Sequence, residues 1–180
     1  MPKTILITGA NGQLGTVVVK KFLEEKYKVV AVGRSNTPPE HSKGNALYNY
    51  HKVNLANEPE TAQFVQEAIK QYGKIDGALL LAGGFAMGSI GDTDGKALKE
   101  MFSLNFDTAY FIARPLFQHM MQNGYGRLVF VGSRPALDAK EGKGKMGYAL
   151  SKSSLFRLAE LLNAEGKGKN IVTSGIAPSI

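Results

Sequence analysis

Tyr148 and Lys152 stand four positions apart, and Ser133 precedes them at the end of an apolar run. An unperturbed tyrosine has a pKa of about 10 and is a poor base at neutral pH. A lysine ammonium within about 5–6 Å, the separation of residues i and i+4 on a helix, favours the phenolate. The spacing therefore predicts a site for proton transfer, in which the Ser133 hydroxyl holds a carbonyl oxygen.

A second Tyr-x-x-x-Lys segment runs from Tyr48 to Lys52. It lies in a predicted β-strand, where residues i and i+4 are roughly 13 Å apart, which is too far for this coupling. It also lacks a serine at the end of a preceding strand. We interpret this second segment as a coincidence of spacing, so that only Tyr148 and Lys152 are predicted to carry the chemistry.

A glycine-rich turn, residues 8–15, follows the first predicted strand and opens an amphipathic helix. A tight strand-to-helix turn exposes unpaired backbone N–H groups at the positive end of the helix dipole, which suits a pyrophosphate. Gly9 would permit the tight turn, Gly12 the close approach of the phosphate, and Gly15 the close packing of helix on strand. The turn predicts a dinucleotide site, and a tight turn without a ligand is the alternative. The residues predicted to contact the nucleotide here are Gly9, Asn11, Gly12, Gln13, Leu14 and Gly15.

The end of the second predicted strand indicates which dinucleotide is bound. A site that selects NAD usually places an acidic residue there, against the ribose diol. This chain has Gly33-Arg34-Ser35 and no acid. Arg34 offers a guanidinium for a 2′-phosphate and Ser35 offers a hydroxyl donor. We therefore predict a preference for NADP(H) over NAD(H), with a solvent-exposed arginine at the start of a loop as the alternative.

Short apolar runs alternate with longer helical patterns along the chain. The predicted strands are Thr4–Thr8, Lys28–Val32, Leu47–Asn54, Ile75–Leu81, Arg127–Gly132 and Asn170–Ile176. The predicted helices are Leu14–Glu25, Pro59–Tyr72, Gly95–Asn123 and Gly147–Glu165. Apolar strands separated by helices predict an α/β fold with a doubly wound parallel sheet, covered on both faces, whose ligands bind at the carboxyl ends of the strands. No repeat or linker divides residues 1–180, so a single domain is expected.

Two segments are predicted to be loops. Ser35–Ala46, which contains two consecutive prolines, is predicted to be irregular where a further helix could have stood. Pro135–Lys145 is expected to border the substrate pocket. Its lysines could favour an anionic substrate, but its glycines favour a flexible, solvated loop.

Composition argues against several classes of function. The 180 residues carry a formal net charge of +7, but no basic run is interleaved with aromatic residues, so nucleic acid is not expected as a partner. There is no cysteine, and the three histidines lack the spacing of metal ligands, so no metal site is expected. No signal-peptide pattern and no membrane-spanning apolar stretch is present. These features predict a cytoplasmic protein without a membrane partner.

Taken in order, these residues resemble the short-chain dehydrogenase/reductase family over essentially the whole chain. The matching segments are Thr8–Gly15, Leu81–Gly84, Asn105, Ser133, Tyr148 with Lys152, and Ile176–Pro178. The resemblance implies a Rossmann-type NAD(P)-binding fold and hydride transfer between nicotinamide and a small carbonyl or alcohol substrate.

The same resemblance implies a role for each site residue. Tyr148 would be the general acid or base, and Ser133 would position the substrate carbonyl. Lys152 would also bind the nicotinamide ribose, and Asn105 would hold a water in a proton relay. The further residues placed against the cofactor by the resemblance are Asn54, Leu55, Ala82, Gly83, Gly84, Tyr148, Lys152 and Pro178.

Departures from the family pattern leave two alternatives open. The spacing from Gly9 to Gly15 and the segment Leu81–Phe85 are similar to dihydropteridine reductase, whereas Ser133 and Arg34 do not suit that enzyme. A dihydropteridine-reductase-like enzyme is therefore one alternative. A non-catalytic dinucleotide-binding regulatory module is the other, although such a module has no use for the catalytic residues.

The resemblance also carries expectations about the size of the fold and about assembly. Family members usually continue through a further helix and a seventh strand, so the sequence is expected to be truncated before these elements. Their subunits pair through the helices that correspond to 95–123 and 147–165. A homodimer or homotetramer is therefore expected.

Overall fold

The computed structural model describes residues 2–38 and 44–178. The strands within these residues are β1 (Thr4–Thr8), β2 (Lys28–Gly33), β3 (Tyr48–Lys52), β4 (Gly77–Leu80), β5 (Tyr125–Val131) and β6 (Asn170–Ile176). They form one sheet in the order β3-β2-β1-β4-β5-β6, and all neighbouring strands are parallel. This order is that of a doubly wound sheet, and it confirms the predicted fold class.

Helices connect the strands. They are α1 (Gln13–Glu24), α2 (Glu58–Tyr72), α3 (Gly95–Phe102), α4 (Thr108–Asn123), α5 (Ala139–Gly142) and α6 (Met146–Glu165). A π-helical turn, Ser103–Asp107, joins α3 to α4, so the helix predicted over 95–123 is continuous but widened in its middle. None of the helices in the described part of the chain combines the length and the apolar character needed to cross a membrane.

The two faces of the sheet are covered unequally. Side chains alternate along a strand, so Leu6 of β1 points to one face while Ile5 and Ile7 point to the other. The Leu6 face carries the larger core, which is formed with α2, α4 and α6. The opposite face packs against α1 through Val19 and Leu23. The prediction of helices on both faces is confirmed.

The segment between β2 and β3 explains the imbalance between the faces. Residues 34–38 and 44–47 contain neither helix nor strand, as predicted for Ser35–Ala46. Residues 39–43 of that prediction lie outside the described residues. Because no helix is seen in the described part of this connection, α1 has no neighbouring helix there on its own face.

Three strand boundaries differ from the predictions by two residues, because an apolar run indicates burial and not pairing. One of them is the start of β5, which lies at Tyr125 and not at Arg127. Ile75 is fully buried, yet β4 begins at Gly77, and the Ile75 N–H donates to Nε2 of His119 at 3.4 Å. β3 ends at Lys52, opposite Gly33, because β2 also ends there. The predicted strand ends at 75 and 54 were therefore wrong by two residues each.

The direction of winding reverses between β1 and β4. At this point the segments that follow β1, β2, β3 and β4 come together at the carboxyl edge of the sheet. The Ala82 N–H donates to Oγ1 of Thr8 at 3.1 Å and ties the end of β4 to that of β1. Doubly wound sheets bind their ligands at such a place.

Candidate active site

The turn after β1 has the geometry of an anion site. Gly9 has a φ of 64°, and a Cβ there would lie 2.9 Å from the backbone nitrogen of Ala82, so a side chain is excluded. Gly12 precedes α1, and no side chain caps the helix. The first N–H groups of a helix have no partner within it and lie at the positive end of the dipole. These groups are therefore available to a phosphate.

Arg34 and Ser35 follow β2 and are exposed. No carboxylate among the described residues forms an ion pair with Arg34. The loop that carries it is folded tightly, because the Thr37 N–H donates to Oγ of Ser35 at 3.1 Å. Tyr50 also donates its hydroxyl to the Ser35 carbonyl at 2.9 Å. The loop that carries Arg34 is thus held by hydrogen bonds, and no carboxylate in the described part of the chain neutralises the guanidinium.

The four strand ends enclose a cleft of about 380 Å³. Of the predicted cofactor residues, those that line it are Gly9, Asn11, Gly12, Arg34, Ser35, Asn54, Leu55, Ala82 and Gly83. None of the described residues in the lining is acidic, and Arg34 is its one cation. The residues present therefore fit an anionic nucleotide.

Some lining residues were missed by the sequence analysis. Val53 and Ala56 flank the predicted pair after β3, and Leu104 and Thr108 come from the widened helix. The last two lie four positions apart and share one helix face, which was a usable signal. In that stretch we had predicted a site role for Asn105 alone.

Other predicted cofactor residues lie outside the lining of this cleft. They are Gln13, Leu14, Gly15, Gly84, Tyr148, Lys152 and Pro178. Gln13 and Leu14 are exposed at the start of α1, and Pro178 is exposed beyond β6. Gly15 is buried where a Cβ would collide with the Gly9 carbonyl, which agrees with a packing role.

Lys152 carries a charge into the protein interior. Its side chain is buried on α6, and Nζ donates to the Val131 carbonyl at 2.8 Å. Burial lowers the pKa of Lys152 to about 8. The ammonium is therefore still mostly protonated at neutral pH, one helical turn from Tyr148.

Tyr148 and Ser133 are also buried, with exposed fractions of 7% and 3%. The Tyr148 ring meets Phe85 edge to face, with centroids 4.9 Å apart, and Phe85 itself is 54% exposed. Oγ of Ser133 has no hydrogen-bond partner among the described residues. Buried hydroxyls are normally paired, so this one is available to a substrate oxygen.

Asn105 lies fully buried in the π-helical turn. Its Oδ1 accepts from the Gly84 N–H at 2.9 Å, and its Nδ2 donates to Oγ of Ser151 at 3.1 Å. Ser151 in turn donates to the Tyr148 carbonyl at 2.9 Å. Asn105 therefore links the segment after β4 to α6. Its predicted hold on a relay water stays a prediction.

Gly83 connects the cleft with the buried cluster. It lines the cleft, and a Cβ on it would lie 2.6 Å from Oδ1 of Asn105 and 2.9 Å from Nζ of Lys152. Both groups therefore approach the Gly83 backbone more closely than a side chain there would allow. A ligand that fills the cleft and passes Gly83 would reach Asn105 and Lys152.

The segment 135–145 contains regular secondary structure, although its glycines favour a loop. A 3₁₀ turn, Arg134–Ala136, and the short helix α5 occupy most of it. The Gly88 N–H donates to the Gly144 carbonyl at 2.8 Å, and Lys145 Nζ donates to the Glu141 carbonyl at 2.8 Å. Asp138 caps α5 by accepting from the Lys140 N–H. Side-chain caps and backbone pairing thus outweigh the local glycine content.

Comparison with known proteins gives one family. A family model described as short chain dehydrogenase matches residues 3–180. Peroxisomal multifunctional enzyme A of Dictyostelium discoideum is 28% identical, over 98% of this chain and 42% of that protein. The 3-oxoacyl-[acyl-carrier-protein] reductase FabG of Rickettsia felis is 27% identical, over 98% of this chain and 71% of that protein. The chain thus spans less than half of the first relative and about seven tenths of the second.

Solved structures agree on the fold. ElxO with NADP bound superposes with a TM-score of 0.93 at 22% identity, over 100% of this chain and 74% of that one. A 4-hydroxyisoleucine dehydrogenase complexed with NADH gives a TM-score of 0.89 at 21% identity, over 99% of this chain and 73% of that one. At such identities the likeness establishes the fold alone. One of these neighbours holds NADP and the other NADH.

Proposed function

The chain belongs to the short-chain dehydrogenase family of nicotinamide-dependent oxidoreductases, and we propose that it transfers hydride between NADP(H) and a small carbonyl or alcohol substrate. The observation that carries the proposal is the position of Gly83. This residue borders both the anionic-nucleotide cleft and the buried cluster around Lys152. A cofactor in the cleft would therefore reach Lys152, which lies one helical turn from the proposed proton donor Tyr148.

In this proposal the nicotinamide supplies or accepts the hydride. Ser133 donates its unpaired hydroxyl to the substrate oxygen and holds the carbonyl in place. Tyr148 gives its phenolic proton to that oxygen during reduction and takes it back during oxidation. The ammonium of Lys152 favours the phenolate that is left behind. Burial of all three groups excludes water and strengthens these interactions.

We further propose that Arg34 and Ser35 select NADP(H). Arg34 is exposed and has no carboxylate partner among residues 2–38 and 44–178, and no described acidic residue lines the cleft; both observations support binding of a 2′-phosphate. A ribose diol would lack the acidic partner that NAD sites usually supply.

The cofactor proposal is tested by titrating the protein with NADPH and with NADH, following the fluorescence of the reduced nicotinamide. Arg34→Ala should weaken the binding of NADPH about 10- to 100-fold, as expected for the loss of a charged hydrogen bond. It should weaken the binding of NADH by less than about twofold. Arg157→Ala is the matched control, because Arg157 is exposed on α6, pairs with Glu160 and does not line the cleft. Equal losses for both cofactors would remove the NADP assignment.

Turnover is tested by NADPH oxidation with a panel of carbonyl compounds. Acetoacetyl-CoA belongs in the panel because the Rickettsia relative is named as a 3-oxoacyl reductase, and small aldehydes and ketones complete it. Turnover of one of these compounds would support the enzyme. Tight NADPH binding without turnover of any would favour the regulatory alternative.

We also propose that the protein is a homodimer or homotetramer. The helices named by the family resemblance expose large apolar side chains, among them Tyr110 on α4 and Leu150 and Leu161 on α6. Pairing would remove this surface from water. The molar mass in solution, measured by light scattering, tests the proposal, and a monomeric mass would contradict it.

A further inference from the structure

Tyr50 ties together three segments around the mouth of the cleft. It lies on β3, and its hydroxyl is 2.8 Å from Oδ1 of Asn11 in the glycine turn and 2.9 Å from the Ser35 carbonyl beyond β2. Gly33 lies against this junction, because a Cβ on it would collide with Asn11 and lie 2.6 Å from the Tyr50 hydroxyl. β3 therefore helps to hold the two segments that carry Gly12 and Arg34.

Lys52 lies two residues further along β3 and on the same face as Tyr50. The parallel register sets it beside Gly33, next to Arg34. Its Nζ donates to Oδ1 of Asn36 at 2.8 Å, so the ammonium rests on the loop that carries Arg34 and Ser35. Although Lys52 belongs to the second, coincidental Tyr-x-x-x-Lys spacing, it thus contacts the loop whose residues Arg34 and Ser35 line the cleft.

The charges at this mouth are unbalanced. Lys52 and Arg34 are both exposed, and neither forms an ion pair with a carboxylate in the described part of the chain. Two nearby cations repel each other, and an anion placed between them removes that repulsion. A phosphate with two negative charges is suited to two cations and to the Ser35 hydroxyl of the same loop.

We infer that Lys52 is a second cation for the 2′-phosphate of NADP(H), beside Arg34. Tyr50 positions the loop after β2, which carries Arg34 and which Lys52 contacts. The inference rests on the proposed function and adds a specificity-determining residue to it. Arg34 contributes a planar fork and Lys52 a compact point charge, so the two bind different oxygens of one phosphate.

The test is the affinity of Lys52→Gln for NADPH, NADH, 2′,5′-ADP and 5′-ADP, measured by calorimetry. We expect about tenfold weaker binding of the two 2′-phosphate compounds, as for one exposed charged contact, and a change below about twofold for the other two. Lys52→Arg should restore most of the loss. Lys70→Gln is the control, because Lys70 lies in the last turn of α2, which runs back from the cleft.

The Tyr50→Phe variant distinguishes the effect of the loop's position from the effect of the Lys52 charge. It removes the bonds to Asn11 and Ser35, so it should weaken NADPH and NADH together, whereas Lys52→Gln should weaken only NADPH. Unchanged NADPH affinity in Lys52→Gln, or equal losses of affinity for both cofactors, would overturn the role of Lys52 and leave the proposed function standing. Failure of the unaltered protein to bind either cofactor would instead remove the proposed function, and this inference with it.

Discussion

Two Tyr-x-x-x-Lys segments in this chain have the same spacing and opposite surroundings. On α6, Tyr148 and Lys152 lie one turn apart on a single face, and both are buried. On β3, Tyr48 packs against the core on the α1 side, and Lys52 stands exposed at the end of the strand, roughly 13 Å further along. A four-residue spacing thus couples two side chains only when the backbone period brings them together.

The two lysines differ most in what surrounds their ammonium groups. Lys152 is held by one backbone carbonyl inside the core, and burial lowers its pKa to about 8. Lys52 rests on the Asn36 side chain in solvent. We conclude that the first is placed to influence a neighbouring phenol and the second to meet an external anion.

The largest expected difference between the segments is in turnover. Tyr148→Phe should lower kcat about 10²- to 10⁴-fold with the best carbonyl substrate of the panel, because the general acid is lost, while NADPH affinity changes little. Tyr48→Phe should leave kcat within about twofold. Steady-state rates of NADPH oxidation, with calorimetry for binding, measure both. Full activity in Tyr148→Phe would refute the assignment of the general acid.

The next difference is in stability at pH 7. Lys152→Met should raise the free energy of unfolding by about 1–3 kcal/mol, because a buried ammonium with a lowered pKa costs free energy that methionine does not. Lys52→Met should change it by less than about 0.5 kcal/mol, as for an exposed side chain. Urea denaturation measures both. A less stable Lys152→Met would mean that the lost bond to Val131 outweighs the relieved burial.

The smallest expected effect is a pH dependence of the stability gap, by which we mean the difference in free energy of unfolding between Lys152→Met and the unaltered protein. The unfolded chain binds the Lys152 proton up to its ordinary pKa of about 10.5, whereas the folded protein releases it from about pH 8. The unfolded state therefore binds more protons in this window, and folding becomes more favourable as the pH rises. The gap between Lys152→Met and the unaltered protein should be constant below pH 8 and narrow above it, by at most about 1.4 kcal/mol per pH unit.

Denaturation curves at several pH values between 7 and 10 test this expectation. Lys52→Met serves as the reference, because its lysine is exposed and should show no such narrowing. A gap that stays constant up to pH 10 would contradict the lowered pKa of Lys152.

Much of the fold could be predicted from the chain itself. Strand cores such as Thr4–Thr8 and Asn170–Ile176 were predicted with their observed bounds, because their apolar character and flanking residues are local signals. Strand ends at Ile75 and Asn54 were misplaced, because pairing depends on where the neighbouring strand stops. The short helix α5 was missed because the glycines of the segment suggested a loop, whereas Asp138 caps the helix. The pairing of Gly88 with Lys145, just beyond α5, joins segments far apart in the chain and has no local signal.

The candidate site was predictable in part for similar reasons. Gly9, Arg34 and Gly83 could be chosen because each follows a strand at the ligand-binding edge. Lys52 could not, because its place depends on the register of β3. The individual roles of the site residues, the cytoplasmic location and the expected absence of metal and nucleic-acid partners stay predictions.

The sequence by itself determined the order of strands and helices, the glycine turn and the spacing of Tyr148 and Lys152, since all of these depend on neighbours within a few residues. Only the tertiary structure decided that Gly83 borders both Asn105 and Lys152, and that β3 brings Lys52 beside Arg34. The physical reason is that these contacts join segments far apart in the chain. Their distances follow from sheet register and packing, which no local spacing encodes.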